Sequence, residues 1–235
     1  MLRLLRIIIL CMWLVGSIVA FTATSIDAKA PTIDVLTVKG AINPVVAGYI
    51  DRGIAYAESQ GDIAVVIQLD TPGGLDSSMR DIVQHMVNSS VPVVVYVAPA
   101  GARAASAGVF ITMAGHIAAM SPNTNIGAAH PVAVGGPSGV SEIPKTMEEK
   151  VVNDAVAYIK SIAEGHGRNV EWAEKAVRES VSATEQEALE LKIIDLVSPN
   201  LQTLVRDLDG RHVALLGGRV VTLRTDGVPL RFFNM

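Results

Sequence analysis

Cysteine is almost missing from this chain: its 235 residues include one, Cys11. Cys11 sits in an apolar N-terminal run, so the rest of the chain has neither a disulfide nor a thiol nucleophile. The five histidines are scattered and have no cysteine partners, which argues against a zinc cluster, and neither metal nor cofactor is expected. Aromatic residues make up only 4% of the chain against 20 glycines, too few for base-stacking platforms. Charged residues are also sparse at 18%, with a formal net charge of −4, so no basic field exists to attract nucleic acid or anionic lipid. What remains for a core is Val, Ile, Leu and Ala, in a chain long enough for one good core and a small appendage.

The N-terminus has its own character. MLRLLR carries Arg3 and Arg6 and no acid, and an uncharged run from Ile7 to Phe21 follows. That run falls short of the roughly 20 residues that span a bilayer and fits a signal-peptide core. Ala28-Lys29-Ala30 and Ala23-Thr24-Ser25 are candidate cleavage sites, and an uncleaved anchor is the alternative. In either case the basic end stays inside and the chain after residue 30 is expected on the exported side. Leu10 is too bulky for a lipoprotein cleavage site before Cys11.

Beyond the leader, strand and helix signals alternate. IDVLTV from Ile33 is strand-like; Val45, Val46, Tyr49, Ile50, Ile54 and Ala57 recur at helical spacing, and Gly61 ends that helix. IAVVIQLD and VPVVVYVAP are continuous apolar runs of the kind that strands buried on both faces show. Met79, Ile82, Val83 and Met86 mark the helix between them, and HIAAMSP is a further strand. The order predicts right-handed βαβ units and a mainly parallel sheet with helices on both sides. A Gly-, Pro- and Ser-rich loop covers about 127 to 142, and a helix about 147 to 163 follows, with Val151, Ala155, Tyr158, Ile159 and Ile162 on one face. Two shorter helices, a late strand IIDLVS, a helix after Asn200 and a hairpin around Gly217-Gly218 complete the reading.

Two strand-to-helix junctions stand out, and in open α/β sheets such junctions hold ligands. In Asp70-Thr71-Pro72-Gly73-Gly74, proline fixes φ and the paired glycines permit an amide to point outward. In PAGARAASAGVFITMAG, Ser106 is the one serine, set among Ala and Gly at the head of a helix. Each has a plain alternative, a tight βα turn for the first and a helix-packing serine for the second. Taken together they describe a nucleophile beside two amide donors.

Four blocks in order, LDTPGG, VYVAPAGARAASAG, SPNTNIGAAHP and KVVNDAVAYIKSIAEGHGRN, resemble the NfeD-type membrane-bound serine proteases over about residues 33 to 200. Those proteins share the α/β ClpP/crotonase superfold and are similar to signal peptide peptidase A. With the leader or anchor read over 1–30 and the helix-hairpin extension over 201–235, the resemblance implies a protease domain over 31–200. It further implies a Ser–Lys endopeptidase outside the membrane that cleaves an apolar segment of a stomatin-like partner, as a dimer or larger assembly. On this chain Ser106 matches the nucleophile, Lys150 the general base, and Gly74 and Ala107 the oxyanion amides, with Gly73 as the alternative to Gly74. Family members usually continue into membrane helices beyond the hairpin, whereas this sequence ends at Met235.

A lysine is a base only when neutral, which burial promotes by penalising the ammonium form. Helical periodicity puts Lys150 in the first turn, off the centre of the apolar stripe, so the family match selects it rather than geometry. Lys160 lies opposite the stripe and Lys145 in the loop. His130 is the rival base, but it needs an orienting carboxylate, for which Asp154 and Asp195 are the candidates outside any matching motif; it is read as a cleft or loop residue. Asp70 is expected to accept bonds from its own turn amides, and Trp172 and Tyr158 to pack in the core. His116 opens a strand, and His166 caps a helix end. Two other functions compete: a crotonase-type acyl-CoA enzyme, disfavoured by the export signal, and a non-catalytic scaffold for a stomatin-like protein.

Overall fold

The computed structural model describes residues 30–132 and 145–233. The leader reading, Cys11 and the long loop beyond residue 132 lie outside the described residues. The elements run β1 (Ile33–Lys39), α1 (Pro44–Gln60), β2 (Ala64–Asp70), α2 (Asp76–Val87), β3 (Val93–Val97), β4 (Arg103–Ala105), α3 (Ala107–Ala114), β5 (Ile117–Met120) and β6 (Asn125–Gly127). Then come α4 (Lys145–Gly165), α5 (Val170–Arg178), β7 (Ser182–Thr184), α6 (Glu185–Glu190), β8 (Leu196–Val197), α7 (Leu201–Leu208), β9 (His212–Ala214), β10 (Val220–Thr222) and β11 (Leu230–Phe233).

The strand side chains divide between two cores with period two. Leu36, Val38, Val65, Ile67, Leu69, Val93, Val95 and Val97 face one core, shared with α1 to α5. Ile33, Val35, Ala64, Val66, Val94 and Tyr96 face the other, covered by Leu204 and Leu208 of α7 and by the β9–β10 hairpin. That double burial is why these strands read as unbroken apolar runs. The main sheet has the order β11-β1-β2-β3-β5-β8, and every pairing in it is parallel. With no disulfide in the described residues, burials worth roughly 1.5–3 kcal/mol per large apolar side chain carry the stability.

Helix ends follow local chemistry. Asn43 accepts from the Val45 and Val46 amides to start α1, with Pro44 in the first turn, and Gly61 ends it at φ 65°. Thr184 and Glu187 close a capping box on α6. The helix expected from about 147 begins at Lys145, so Lys145 is helical rather than in a loop.

The edge strand β11 had no counterpart in the sequence reading. It pairs with β1, Ile33 opposite Leu230, and its Arg231 bonds Asp34 through Nε at 2.6 Å and Nη2 at 2.7 Å, with Asp62 as a further partner. Asp34 is fully buried, which raises its pKa, while Arg231 pulls it back toward ionisation. A second, three-stranded sheet, β4-β6-β7, lies beyond the carboxyl end of β2, joined to it by a bridge between Thr71 and Ala104.

Candidate active site

The backbone after β2 is tied on three sides. The Thr71 amide donates to the Arg103 carbonyl at 2.8 Å, and the Ala105 amide to the Thr71 carbonyl at 3.1 Å. These bonds bring the TPGG turn against the segment that ends in Ser106. Ile42, between β1 and α1, donates its amide to the Gly73 carbonyl at 2.8 Å and accepts from the Leu75 amide at 2.9 Å. Gly74 is clasped between those two bonds, and a Cβ there would sit 2.0 Å from the Ile42 oxygen. The Gly73 amide donates to Thr71 Oγ1 at 3.1 Å, whereas the Gly74 amide has no partner among the described residues. Asp70 does accept a main-chain amide, but from Arg103 at 3.2 Å rather than from its own turn.

Ser106 precedes α3 at φ 53° and ψ −116°, a conformation costly for a side-chain-bearing residue. That geometry turns the chain sharply from β4 into the helix, the arrangement of a nucleophile elbow. Its hydroxyl makes no capping bond, and the Ala107 amide that follows lies in the unpaired first turn of α3. A Cβ on Gly73 would come within 2.6 Å of Ser106 Cβ and 3.0 Å of its Oγ, so glycine permits this approach. Gly108 does the same for α3, where a Cβ would meet Thr71 Cγ2 at 2.7 Å.

Ser106, Gly74, Ala107, His130 and Lys150 all line one cavity of about 970 Å³, together with Asp76, Arg80 and Asp154. Its floor is made of Met79, Phe110, Ala129 and Ala155, and the apolar side chains of Leu75, Val132 and Val151 stay exposed at its mouth. Lys150 is exposed in the second turn of α4. His130 donates from Nδ1 to the Val177 carbonyl at 2.9 Å, which leaves Nε2 toward Glu148 at 3.8 Å. A backbone carbonyl therefore orients this ring, and neither Asp154 nor Asp195 touches it: Asp154 is bonded to Arg80, and Asp195 lies 3.0 Å from Arg168.

The other candidates fall outside the cavity. Lys160, partly exposed, binds Glu174 at 2.8 Å. Trp172 is buried, as a core residue should be. Tyr158 is half-buried, stacked on Phe110 at 6.0 Å, with the Arg80 guanidinium over its ring at 4.3 Å. His166 donates to the Ile162 carbonyl at 3.0 Å near the end of α4, and His116 accepts from the Val93 amide at 3.1 Å. Sequence reasoning missed Arg80. The available signal was the i, i+4 spacing of Asp76 and Arg80, realised as a 2.9 Å bond.

Comparison with known proteins agrees with this architecture. The family model of the NfeD1b N-terminal domain matches residues 32–204. Membrane-bound protease PH1510 of Pyrococcus horikoshii is 37% identical over 217 residues, 92% of this chain and 48% of its own length. Membrane protein NfeD1b of Bacillus subtilis is 24% identical over 206 residues, 81% of this chain and 45% of its own. The chain thus spans about half the length of the curated relatives it matches. Among solved structures, a lysine-to-alanine mutant of the 1510-N membrane-bound stomatin-specific protease, in complex with a substrate peptide, superposes with a TM-score of 0.81. It is 36% identical, covering 87% of this chain and 93% of that one. A serine-to-alanine mutant of the same protease gives a TM-score of 0.80 at 36% identity, over 87% and 98%. The fold is the ClpP-like α/β fold of those protease structures, and the chain belongs to the NfeD1b N-terminal domain family.

Proposed function

We propose that this chain is a serine endopeptidase working with a Ser106–Lys150 dyad. The observation that carries the reading is Ser106: a strained, uncapped serine facing a cavity that the Gly74 and Ala107 backbone and Lys150 also line. In this scheme Lys150 takes the hydroxyl proton as Oγ attacks a peptide carbonyl. The tetrahedral oxyanion is held by the amides of Gly74 and Ala107. The Gly74 amide suits the task better than that of Gly73, which is spent on Thr71. Lys150 returns its proton to the leaving amine, and water then hydrolyses the ester. Because Lys150 is exposed here, a bound peptide is the agent that dries the amine. His130 serves as a cleft residue, since a carbonyl rather than a carboxylate orients it.

The apolar mouth at Leu75, Val132 and Val151 suits an extended hydrophobic peptide. One relative is named a stomatin-specific protease, and its lysine-to-alanine mutant is complexed with a substrate peptide. By extension the substrate here is an apolar segment of a stomatin-like membrane protein, cut on the extracytoplasmic side. The basic-then-apolar leader supports that location, with the protease region 31–200 outside and assembled as a dimer or larger oligomer. Among the described residues no helix is long and apolar enough to cross a membrane.

The test is cleavage of an apolar peptide by the purified chain beside its Ser106→Ala and Lys150→Ala variants. Both substitutions are expected to lower kcat by at least about a thousandfold, with peptide binding retained. Full activity in either variant removes that residue from the mechanism. Thioester turnover without peptide cleavage favours an acyl-CoA enzyme, and binding without either reaction a scaffold.

A further inference from the structure

Lys150, Asp154 and Tyr158 follow one another at i, i+4 and i+8 along α4, and Lys150 and Asp154 line the same cavity. A carboxylate one turn from an amine is its natural ion-pair partner, and such a pair holds the amine protonated. That would disable a base. In this structure the Asp154 carboxylate is engaged elsewhere, by Arg80 Nη2 reaching across from α2. Arg80 itself is fixed: its Nε bonds Asp76 at 2.9 Å, and its guanidinium lies over the Tyr158 ring at 4.3 Å, with Tyr158 backed by Phe110. The clamp ties α2 to α4 one turn beyond Lys150.

We propose that Arg80 is a positioning residue that sequesters the Asp154 carboxylate, so that Lys150 can lose its proton and act as the general base. The proposal rests on Lys150 being that base. The other charges nearby are accounted for. From α2, Asp76 is held by Arg80. From the loop after β6, His130 stands near Glu148 of α4. On α5, Arg178 binds Glu174 and Asn153. α3 presents no charged side chain, and Lys145 and Glu149 are exposed on α4 itself. Arg80 thus holds both carboxylates that line the cavity, Asp76 and Asp154, and Asp154, one turn from Lys150 on the same helix, is the one placed to pair with the amine.

The experiment is the pH dependence of kcat/KM for an apolar peptide, measured on the whole chain. The rate rises with pH as the base loses its proton. In Arg80→Met the freed Asp154 stabilises the ammonium form, so this limb is expected to move upward by about one pH unit, with an approximately tenfold loss at pH 7. Adding Asp154→Asn to Arg80→Met is expected to return the limb to its original place, and Arg80→Lys, which keeps a cation, to hold it there. A loss of rate in Arg80→Met without movement of the limb overturns the proposal, as does a double variant that stays displaced. Should Arg80→Met fail to fold, Asp154→Asn alone decides: the limb is expected at or below the wild-type pH, and a limb moved upward overturns the proposal. Lys150→Ala, run in parallel, keeps the two questions separate. Undiminished cleavage there sinks the role of Lys150 itself, whatever Arg80 does.

Discussion

Around Ser106 the chain is stitched by main-chain bonds from Thr71, Ile42 and Gly127, and glycines at 73, 74 and 108 let the segments touch. On the facing wall, Lys150 is exposed near the start of α4, and an ion pair between Arg80 and Asp154 links that helix to α2 at the cavity. One side is fixed by main-chain bonds, and the other is linked across the cavity by side chains. In the proposed mechanism a hydroxyl and two amides must be aimed to within fractions of an ångström, and backbone bonds would supply that aim. The proposed base, an amine on a long flexible stem, has its own reach and needs a dry surrounding, which a bound peptide would provide.

The contrast breaks if stability responds equally on the two walls. Gly74→Ala places a methyl 2.0 Å from the Ile42 oxygen and 2.5 Å from its nitrogen, both backbone atoms that cannot swing aside. A loss of about 3 kcal/mol or more in urea unfolding is expected. Lys150→Ala should leave the urea midpoint where it was, because an exposed side chain is removed. A shared drop would mean that the amine wall is also structural.

The far end of α3 is anchored too, and acid should loosen it. Arg168 donates to the Met113 carbonyl at 3.0 Å and the Gly115 carbonyl at 2.8 Å, beside His116 and His166. Burial, reinforced by the charge of His166, pushes the His116 imidazole down to about 4, and burial also lowers His166. In the unfolded chain these rings take up protons near pH 6.5, while in the fold burial holds both back from protonation. Unfolding therefore gains a proton at His116 as pH falls from about 6.5 toward 4, and stability drops across that window by about 3 kcal/mol from this ring. His116→Gln should flatten the decline in a series of urea titrations. An unchanged slope would show that the ring is solvated.

The same contrast explains what could be seen in the sequence. The Ser106 wall was legible because its signals are local: Pro-Gly-Gly after a buried strand, and a serine in a small-residue run before a helix. Strands buried on both faces were legible as unbroken Val and Ile. The amine wall depends on distant pairs. Arg80 finds Asp154 74 residues away, and His130 finds the Val177 carbonyl 47 residues away. Arg231, which secures the unforeseen β11, meets Asp34 across 197 residues. No periodicity encodes such partners, and Asp34 in an apolar strand was the one hint that an arginine was owed to it. Lys150 itself sits off the helix stripe, so family blocks rather than pattern singled it out.

The finest test concerns the backbone of Ser106. At φ 53° and ψ −116° a serine carries strain of roughly 1–3 kcal/mol, and its side chain makes no capping bond to offset it. Glycine adopts this conformation freely but gains about 0.5–1 kcal/mol of unfolded-state entropy. The balance leaves Ser106→Gly about 1 kcal/mol more stable than the wild type. Ser106→Ala keeps the strain and should match the wild type in urea unfolding. Both remove the hydroxyl, so on the proposed mechanism cleavage is expected to be lost in both while stability separates them. That separation would mark the elbow as a conformation kept for the hydroxyl's sake, against the preference of the fold; identical midpoints would mean that the turn costs nothing, and that the rigid wall owes its shape to packing alone.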